Sequence, residues 1–271
     1  SIRFVLFSSL SKGRCKATNL LISEDVKSAI KIIKKLGIKI KLKNKKCEIF
    51  GNGLFGYQFQ KNLILNAGNS GTTARLILPM LNNSTNWIKI TGDQSLKKRD
   101  MNRIIKPLKL FGFKFKNNNK KLPIFIKGPR VLKPISYTEN LGSAQCKSAI
   151  MIAALKAKGK TKIKCLPSRN HSELMFNNLM NIPTKVYKKN NYEFIELSGL
   201  KEIKPFNYKI PGDISSASFF IVLTLLSRKS SLIIKNVNTN PSRIGIIKIL
   251  NMMGSKIKFL NEKNYKGEKI S

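Results

Sequence analysis

Apolar and polar positions along the chain fall into one pattern that recurs. A helical segment ends near a glycine, an alternating strand follows, then a Lys/Asn turn and a second strand. The copies are LGIKIKLKNKKCEIFG from Leu36, FGFKFKNNNKKLPIFIKG from Phe111, NIPTKVYKKNNYEFIELSG from Asn181 and MGSKIKFLNEKNYKGEKI from Met253. Their starts lie roughly 70 to 75 residues apart, too long for a solenoid repeat and about right for a βαβαββ unit. KIKL, KFKF and KIKF alternate with period 2, so each predicts a strand with one wet face. KNKK, KNNNKK and KKNN read as solvated hairpin tips. The chain is therefore expected to hold three complete units and the start of a fourth.

Helices fill the intervals. SIRFVLFSSL predicts a helix ending near Gly13, and Ser23-Glu24-Asp25 caps an amphipathic helix from Val26 to Leu36 that buries Val26, Ile30, Ile33 and Leu36. The chain is organised around Leu65 to Met80, LNAGNSGTTARLILPM. Small residues there allow close backbone approach, Thr72 or Thr73 is the expected cap, and Arg75 sits one turn in. A helix start with free N–H groups and a nearby guanidinium attracts phosphate or carboxylate; a tight Asn-Ser-Gly turn into a core helix is the alternative. Further helices are expected over Met101 to Leu110, from Ser143-Ala144-Gln145 to Gly159, from Ser168, after Asp213, and from Asn240 to Gly254 with Pro241 near its start. In each unit a polar cluster stands at a helix N-terminus. Under pseudo-threefold symmetry these starts converge on one anion-binding cleft. Pro205, Pro211 and Gly212 mark the domain boundary, giving domains over 1–207 and 208–271.

Composition changes this picture little. The 271 residues have room for a sizeable core. A net charge of +39 suggests a nucleic-acid binder, but only nine of the 52 basic residues are arginine and the lysines are scattered over every segment. Uniform Lys/Asn/Ile enrichment fits AT-rich coding better than a nucleic-acid surface, which concentrates arginine. The same bias makes Arg3, Arg75, Arg99, Arg103, Arg169 and Arg243 informative, because each falls in a segment notable for other reasons. Four cysteines without CxxC spacing and a single histidine support neither a zinc site nor a disulfide framework, so a reducing compartment is expected. The longest apolar run, Ala217 to Leu226, is too short to span a bilayer.

Six stretches in order, GNSGTTARL, TGDQSLKKRDM, SAQCKSA, SRNHSE, PGDISSASFF and NPSRIG, resemble the 5-enolpyruvylshikimate-3-phosphate (EPSP) synthase family of enolpyruvyl transferases. The resemblance covers nearly the whole chain. It implies an α+β enolpyruvyl-transferase fold of βαβαββ units, three per domain, with the active site between two domains. It also implies transfer of an enolpyruvyl group from phosphoenolpyruvate to the 5-hydroxyl of shikimate 3-phosphate, without metal or organic cofactor, by a cytoplasmic monomer with no nucleic-acid or membrane partner. The related UDP-N-acetylglucosamine transferases share the fold, but their reactive cysteine loop has no counterpart here.

Residue by residue, the resemblance assigns Ser1 and Arg3 to shikimate 3-phosphate, Arg3 taking its carboxylate. Ser143, Ala144 (through its backbone) and Ser168 take the 3-phosphate, and His171 meets the shikimate ring. Gln145 lies between the substrates. Asn69, Gly71 and Arg99 face phosphoenolpyruvate, with Arg99 on its phosphate, while Thr72, Arg75 and Asp213 support the site. Arg75 could equally bond core carbonyls, and Asp213 reads first as a cap and hinge. Ile2, Asp100 and Asn170 replace a histidine, a proline and an aspartate of the family pattern. The family's lysine before the first motif and its later acid/base carboxylates fall outside the chain, so a trimmed start, a truncated end and no catalytic residue within the chain are expected. An inactive remnant and a basic nucleic-acid-binding module remain the rival readings.

Overall fold

A computed structural model describes residues 1–116 and 120–271. The tip of the KNNNKK hairpin, residues 117–119, lies outside the described residues. Three four-stranded sheets repeat one arrangement. In the second unit β4 (Ile64–Asn66), α3 (Gly71–Ile77), β5 (Ile88–Thr91), α4 (Gln94–Lys98), α5 (Asn102–Leu110), β6 (Lys114–Lys116) and β7 (Ile124–Lys127) give the order β4-β5-β7-β6. The first pair is parallel and the rest antiparallel. The third unit follows suit: β8 (Ser136–Glu139), α6 (Ala144–Ala154), β9 (Lys160–Cys165), α7 (His171–Asn178), β10 (Thr184–Lys189) and β11 (Tyr192–Ser198) give β8-β9-β11-β10.

The first unit comprises α1 (Ile2–Ser8), β1 (Lys12–Thr18), α2 (Glu24–Lys35), β2 (Lys39–Lys43) and β3 (Lys46–Asn52). Its fourth strand is β12 (Asn207–Lys209), which pairs parallel with β1 and gives β12-β1-β3-β2. The chain thus returns after the third unit to complete the first sheet. The repeated βαβαββ unit is the one expected from the periodicity, and the α+β fold is the one the resemblance implies.

One helix of each unit, α1, α3 and α6, is buried almost throughout and packs at the centre. Each repeat ends in a glycine for a common reason. A Cβ on Gly51 would stand 2.4 Å from the carbonyl oxygens of Ser8 and Ser11. On Gly128 it would stand 2.0 Å from Leu81 O, and on Gly199 2.2 Å from Ala154 O. In each of the three units the chain at the end of the last strand therefore presses its backbone onto the segment that closes or leaves the central helix. At that same end Lys156 is buried, donating to Met80 O at 2.8 Å and to the Asn82 side chain, beneath the Tyr57 ring. Burial brings its ammonium pKa down to about 7. Lysines alternate outward on the sheets, as at Lys39 and Lys41 over Phe50.

Several expected boundaries move. Ser70, not Thr72 or Thr73, caps α3, its hydroxyl accepting from Thr73 N at 3.2 Å, because the two threonines already lie in the first turn. α6 stops at Ala154 rather than near Gly159, and the first helix stops at Ser8. α7 begins at His171, three residues after Ser168, with Asn170 at the cap position. Beyond β12, α8 (Ile214–Leu226) starts from Asp213 as expected, whereas α9 (Gly245–Met252) starts after a turn over residues 241–244. The KIKF segment of the fourth copy forms no strand. Its Ile257 and Phe259 pack on a small separate cluster around Ile214, Ala217, Val237 and Ile247. The local hairpin is instead β13 (Lys263–Tyr265) with β14 (Glu268–Ile270). Alternation predicts which face is wet, but a strand also needs a neighbour to take its hydrogen bonds. Among the described residues no helix is long and apolar enough to cross a membrane.

Candidate active site

Helix starts from the three units meet at one face. Ser1 precedes α1 and its hydroxyl accepts from Leu21 N at 3.0 Å. Ser143 caps α6 by accepting from Cys146 N at 3.3 Å. The loop before it is braced by buried Glu139, whose two oxygens accept from Leu141 N and Ser143 N, both at 3.0 Å. Gln145, one residue into α6, crosses to α3: its oxygen accepts from Arg75 at 2.8 Å and its amide donates to Thr72 Oγ1 at 3.0 Å. This pair of bonds fixes the α3 and α6 starts relative to one another.

Between them lies a cavity of about 790 Å³ lined by Arg3, Thr72, Ser143, Ala144, Gln145 and Ser168, among others. Ser168 Oγ is buried there without a hydrogen-bond partner among the described residues, which marks a place for a polar ligand atom. Arg3 donates through Nε to Ser172 Oγ at 3.1 Å. Burial lowers its guanidinium pKa to about 10, against the nearby Glu173, which pulls it up. Arg3, Thr72 and Arg169 also line an adjoining cavity of about 900 Å³, together with Ser1, His171, Asp213 and Arg243. Burial, then the neighbouring Arg243, lowers the Arg169 pKa, partly offset by Asp213. Along the two cavities Arg3, Lys45, Arg169, Lys188, Lys235 and Arg243 outnumber Asp25, Glu193, Asp213 and Glu268, and a net positive cleft suits a polyanion.

His171 opens α7, and its Nδ1 lies 2.5 Å from Glu268 Oε1. Glu268 Oε2 accepts from the amides of Asn238 and Asn240, both at 3.0 Å, and Asn240 also donates to Asn170 at 2.8 Å. Burial raises the Glu268 pKa, but the His171, Asn238 and Asn240 interactions outweigh it and hold the carboxyl below its usual range. Asp213 caps α8 and receives Arg243 at 2.6 Å.

The residues expected to face phosphoenolpyruvate sit apart from these cavities. Asn69 is exposed and donates to Asp93 at 2.5 Å, and Arg99 is exposed at the end of α4. Gly71 lies between two guanidinium groups: a Cβ there would stand 2.9 Å from Arg75 and 3.2 Å from Arg99. Arg75, 8% exposed, also donates to Asp100 O at 3.2 Å, so it bonds both a site side chain and a carbonyl. Burial, then Arg103 and Arg99, lowers its pKa. The structure therefore gathers Arg3, Thr72, Ser143, Ala144, Gln145 and Ser168 in one cavity and Ser1, His171 and Asp213 in the next. Asn69, Gly71 and Arg99 form a separate edge joined to the first cavity through Arg75 and Gln145. Arg169 and Arg243, flagged by arginine scarcity but given no role, line the cleft. Glu268 carried no sequence signal, since it lies far along the chain in an unremarkable hairpin, whereas Asn240 opens the NPSRIG stretch but was given no role. Among the described residues no group of three or more His, Cys, Asp or Glu side chains is arranged to hold a metal.

The family model of EPSP synthase (3-phosphoshikimate 1-carboxyvinyltransferase) matches residues 1–269. A 3-phosphoshikimate 1-carboxyvinyltransferase of Caldicellulosiruptor bescii is 42% identical over 274 residues, covering 100% of this chain and 62% of that protein. One from Petrotoga mobilis is 40% identical over 275 residues, with the same coverage. The solved EPSP synthase from Acinetobacter baumannii superposes with a TM-score of 0.85 at 34% identity, covering 99% of this chain and 61% of that one. The chain thus spans about 62% of the length of the curated relatives it matches.

Proposed function

The chain belongs to the EPSP synthase family, and on that premise we propose that its cleft binds shikimate 3-phosphate within an enzyme that transfers the enolpyruvyl group of phosphoenolpyruvate. The acceptor is the 5-hydroxyl of shikimate 3-phosphate, and inorganic phosphate leaves. The observation that carries the reading is the meeting of Arg3, Ser143, Gln145 and Ser168, from α1, α6 and the loop before α7, around one cavity. Arg3 takes the shikimate carboxylate, while Ser143, the Ala144 backbone and Ser168 take the 3-phosphate. His171, held by Glu268, meets the ring from the adjoining cavity. Arg99 and Arg75 flank Gly71 as an anion-binding edge for phosphoenolpyruvate, with Asn69 beside them, and Gln145 stands between the two substrates.

Two polyanions brought together need cations to steer and orient them, and the cleft supplies these. The reaction also needs a proton delivered to the methylene carbon of phosphoenolpyruvate and one removed from the hydroxyl; no residue of this chain is assigned to those steps. The same reading divides the chain into a shikimate 3-phosphate side, expected over 1–207 and carried by β12 through Lys209, and the opening of a second domain over the rest of 208–271, and takes the protein as a cytoplasmic monomer with no nucleic-acid partner.

Titration calorimetry with shikimate 3-phosphate tests the reading. Binding is expected, and Arg3→Ala should weaken it by roughly 1.5–3 kcal/mol, the size of a hydrogen bond to a charged group. Binding of UDP-N-acetylglucosamine in its place, or equal affinity in the Arg3→Ala variant, would refute it.

A further inference from the structure

Against the cavity lies a buried layer of charge, Lys147, Glu173 and Glu193, that none of the substrate assignments uses; of the three, Glu193 lines the cavity. Lys147, in the second turn of α6, is fully buried. Its Nζ stands 2.7 Å from Glu173 Oε1 on α7 and 3.3 Å from Glu193 Oε2 on β11. Glu173 and Glu193 are 3% and 8% exposed. At 2.7 Å the Glu173 carboxylate and the Lys147 ammonium form a buried ion pair. Beside it, Ser172 accepts from Arg3 and bonds Ser148 at 2.7 Å, and Ser148 donates to Ala144 O at 2.6 Å. Glu173 therefore faces Lys147 on one side and the field of Arg3 on the other.

Counting charges decides what this layer does. Lys147 and Arg3 contribute two positive charges, Glu173 and Glu193 two negative ones. The layer is neutral as it stands. Were Lys147 uncharged, Glu173 beside Arg3 and Glu193 on the cavity lining would lose their shared counter-charge, and the wall would turn more negative toward an incoming anion. Such an interaction is strong where water is excluded. Lys147 does not line the cavity; it acts through the carboxylates.

We propose that Lys147 is a positioning residue that sets the charge of the cleft: by neutralising Glu173 and Glu193 it leaves Arg3 free to hold the ligand's negative charge, and it ties the starts of α6 and α7 to β11. This rests on the shikimate 3-phosphate reading and deepens it. The alternative is that the cluster is only glue, in which case every variant that weakens it should weaken binding in step with stability.

The two differ in sign. Lys147→Met should weaken shikimate 3-phosphate binding about tenfold or more, through the uncompensated charge. Glu193→Gln keeps the Lys147–Glu173 pair, so it should fold even where Lys147→Met does not. It should tighten binding about threefold although it also removes a buried contact. Combining the two restores neutrality, and affinity should return to within about threefold of wild type. Calorimetry with shikimate 3-phosphate and, separately, inorganic phosphate, alongside thermal melts, reads all three. Weaker binding in Glu193→Gln, or no recovery in the folded double variant, would overturn the inference and leave the ligand assignment standing. Wild-type binding of phosphate but not shikimate 3-phosphate, with the same order among variants, would remove the ligand assignment and keep the inference. Binding of neither anion by wild type would overturn both.

Discussion

Thirteen acidic side chains among fifty-two basic ones leave counter-charges scarce, so where the acids go is informative. Four are buried, Glu139, Glu173, Glu193 and Glu268, and all four stand in or just behind the cleft. Glu139 braces the Ser143 loop, Glu173 and Glu193 hold Lys147, and Glu268 holds His171. A buried carboxylate is tolerated only when paired or fully hydrogen-bonded, so these four sites are built around their partners. Glu268 makes the consequence measurable. Its folded pKa lies below the ordinary 4.5, so its stabilisation is complete above that value and fades as pH falls through the depressed one. Wild type should therefore lose more stability than Glu268→Gln on acidification below about 4.5, while being the more stable of the two near neutrality. Thermal melts from neutral to acidic pH compare them, and parallel curves would show that Glu268 is not ionically held.

At the scale of the element, each repeat is closed by a glycine whose backbone touches the end of a central helix. Ordinary β-propensity gives no reason for Gly51 inside β3, since glycine weakens a strand, nor for Gly128 and Gly199 just after β7 and β11. The reason is contact: at Gly128 the missing Cβ would fall 2.0 Å from Leu81 O. Gly128→Ala should cost about 1–3 kcal/mol, the range for forced overpacking. Gly245, in the first turn of α9 with nothing within 4 Å of its Cβ position, is the control. Gly245→Ala should shift stability by no more than about 1 kcal/mol, and in the favourable direction. Denaturant unfolding of the two variants tests the contrast, and equal costs would mean that glycine acts through chain flexibility alone. The helix caps show the same dependence on detail. Ser70 and the two threonines after it are all competent caps by residue type, and only the path of the backbone picks Ser70.

Across the whole molecule, cohesion is uneven. One continuous core runs from Phe4 to Ile210 and takes in Tyr265, while α8, α9 and the KIKF segment gather around four buried side chains. Phe219, Leu226 and Met252 are 77%, 80% and 86% exposed, so α8 and α9 bury little of their apolar surface. Local opening follows such differences in packing, and amides of α8 and α9 should exchange with deuterium well before those of α1, α3 and α6. Mass spectrometry of exchanged peptides checks this, and uniform protection would mean the two parts unfold as one. The fold class, the three hairpins, the repeat length and most helix positions are fixed by local chemistry. Alternation, 3.6-residue periodicity, turn residues and glycines act over a few neighbours, and a linear sequence displays them. The family motifs likewise mark Ser143, Gln145, Ser168 and His171 as site candidates, and the resemblance of the opening SIRF marks Arg3. What the sequence could not display is pairing between distant segments. That β12 completes the first sheet, that KIKF finds no neighbouring strand, that Glu268 reaches His171 across 97 positions and that Lys147 meets Glu173 and Glu193 all depend on which surfaces the core brings together. Periodicity records which side of an element is buried; only the packed molecule decides what lies against it.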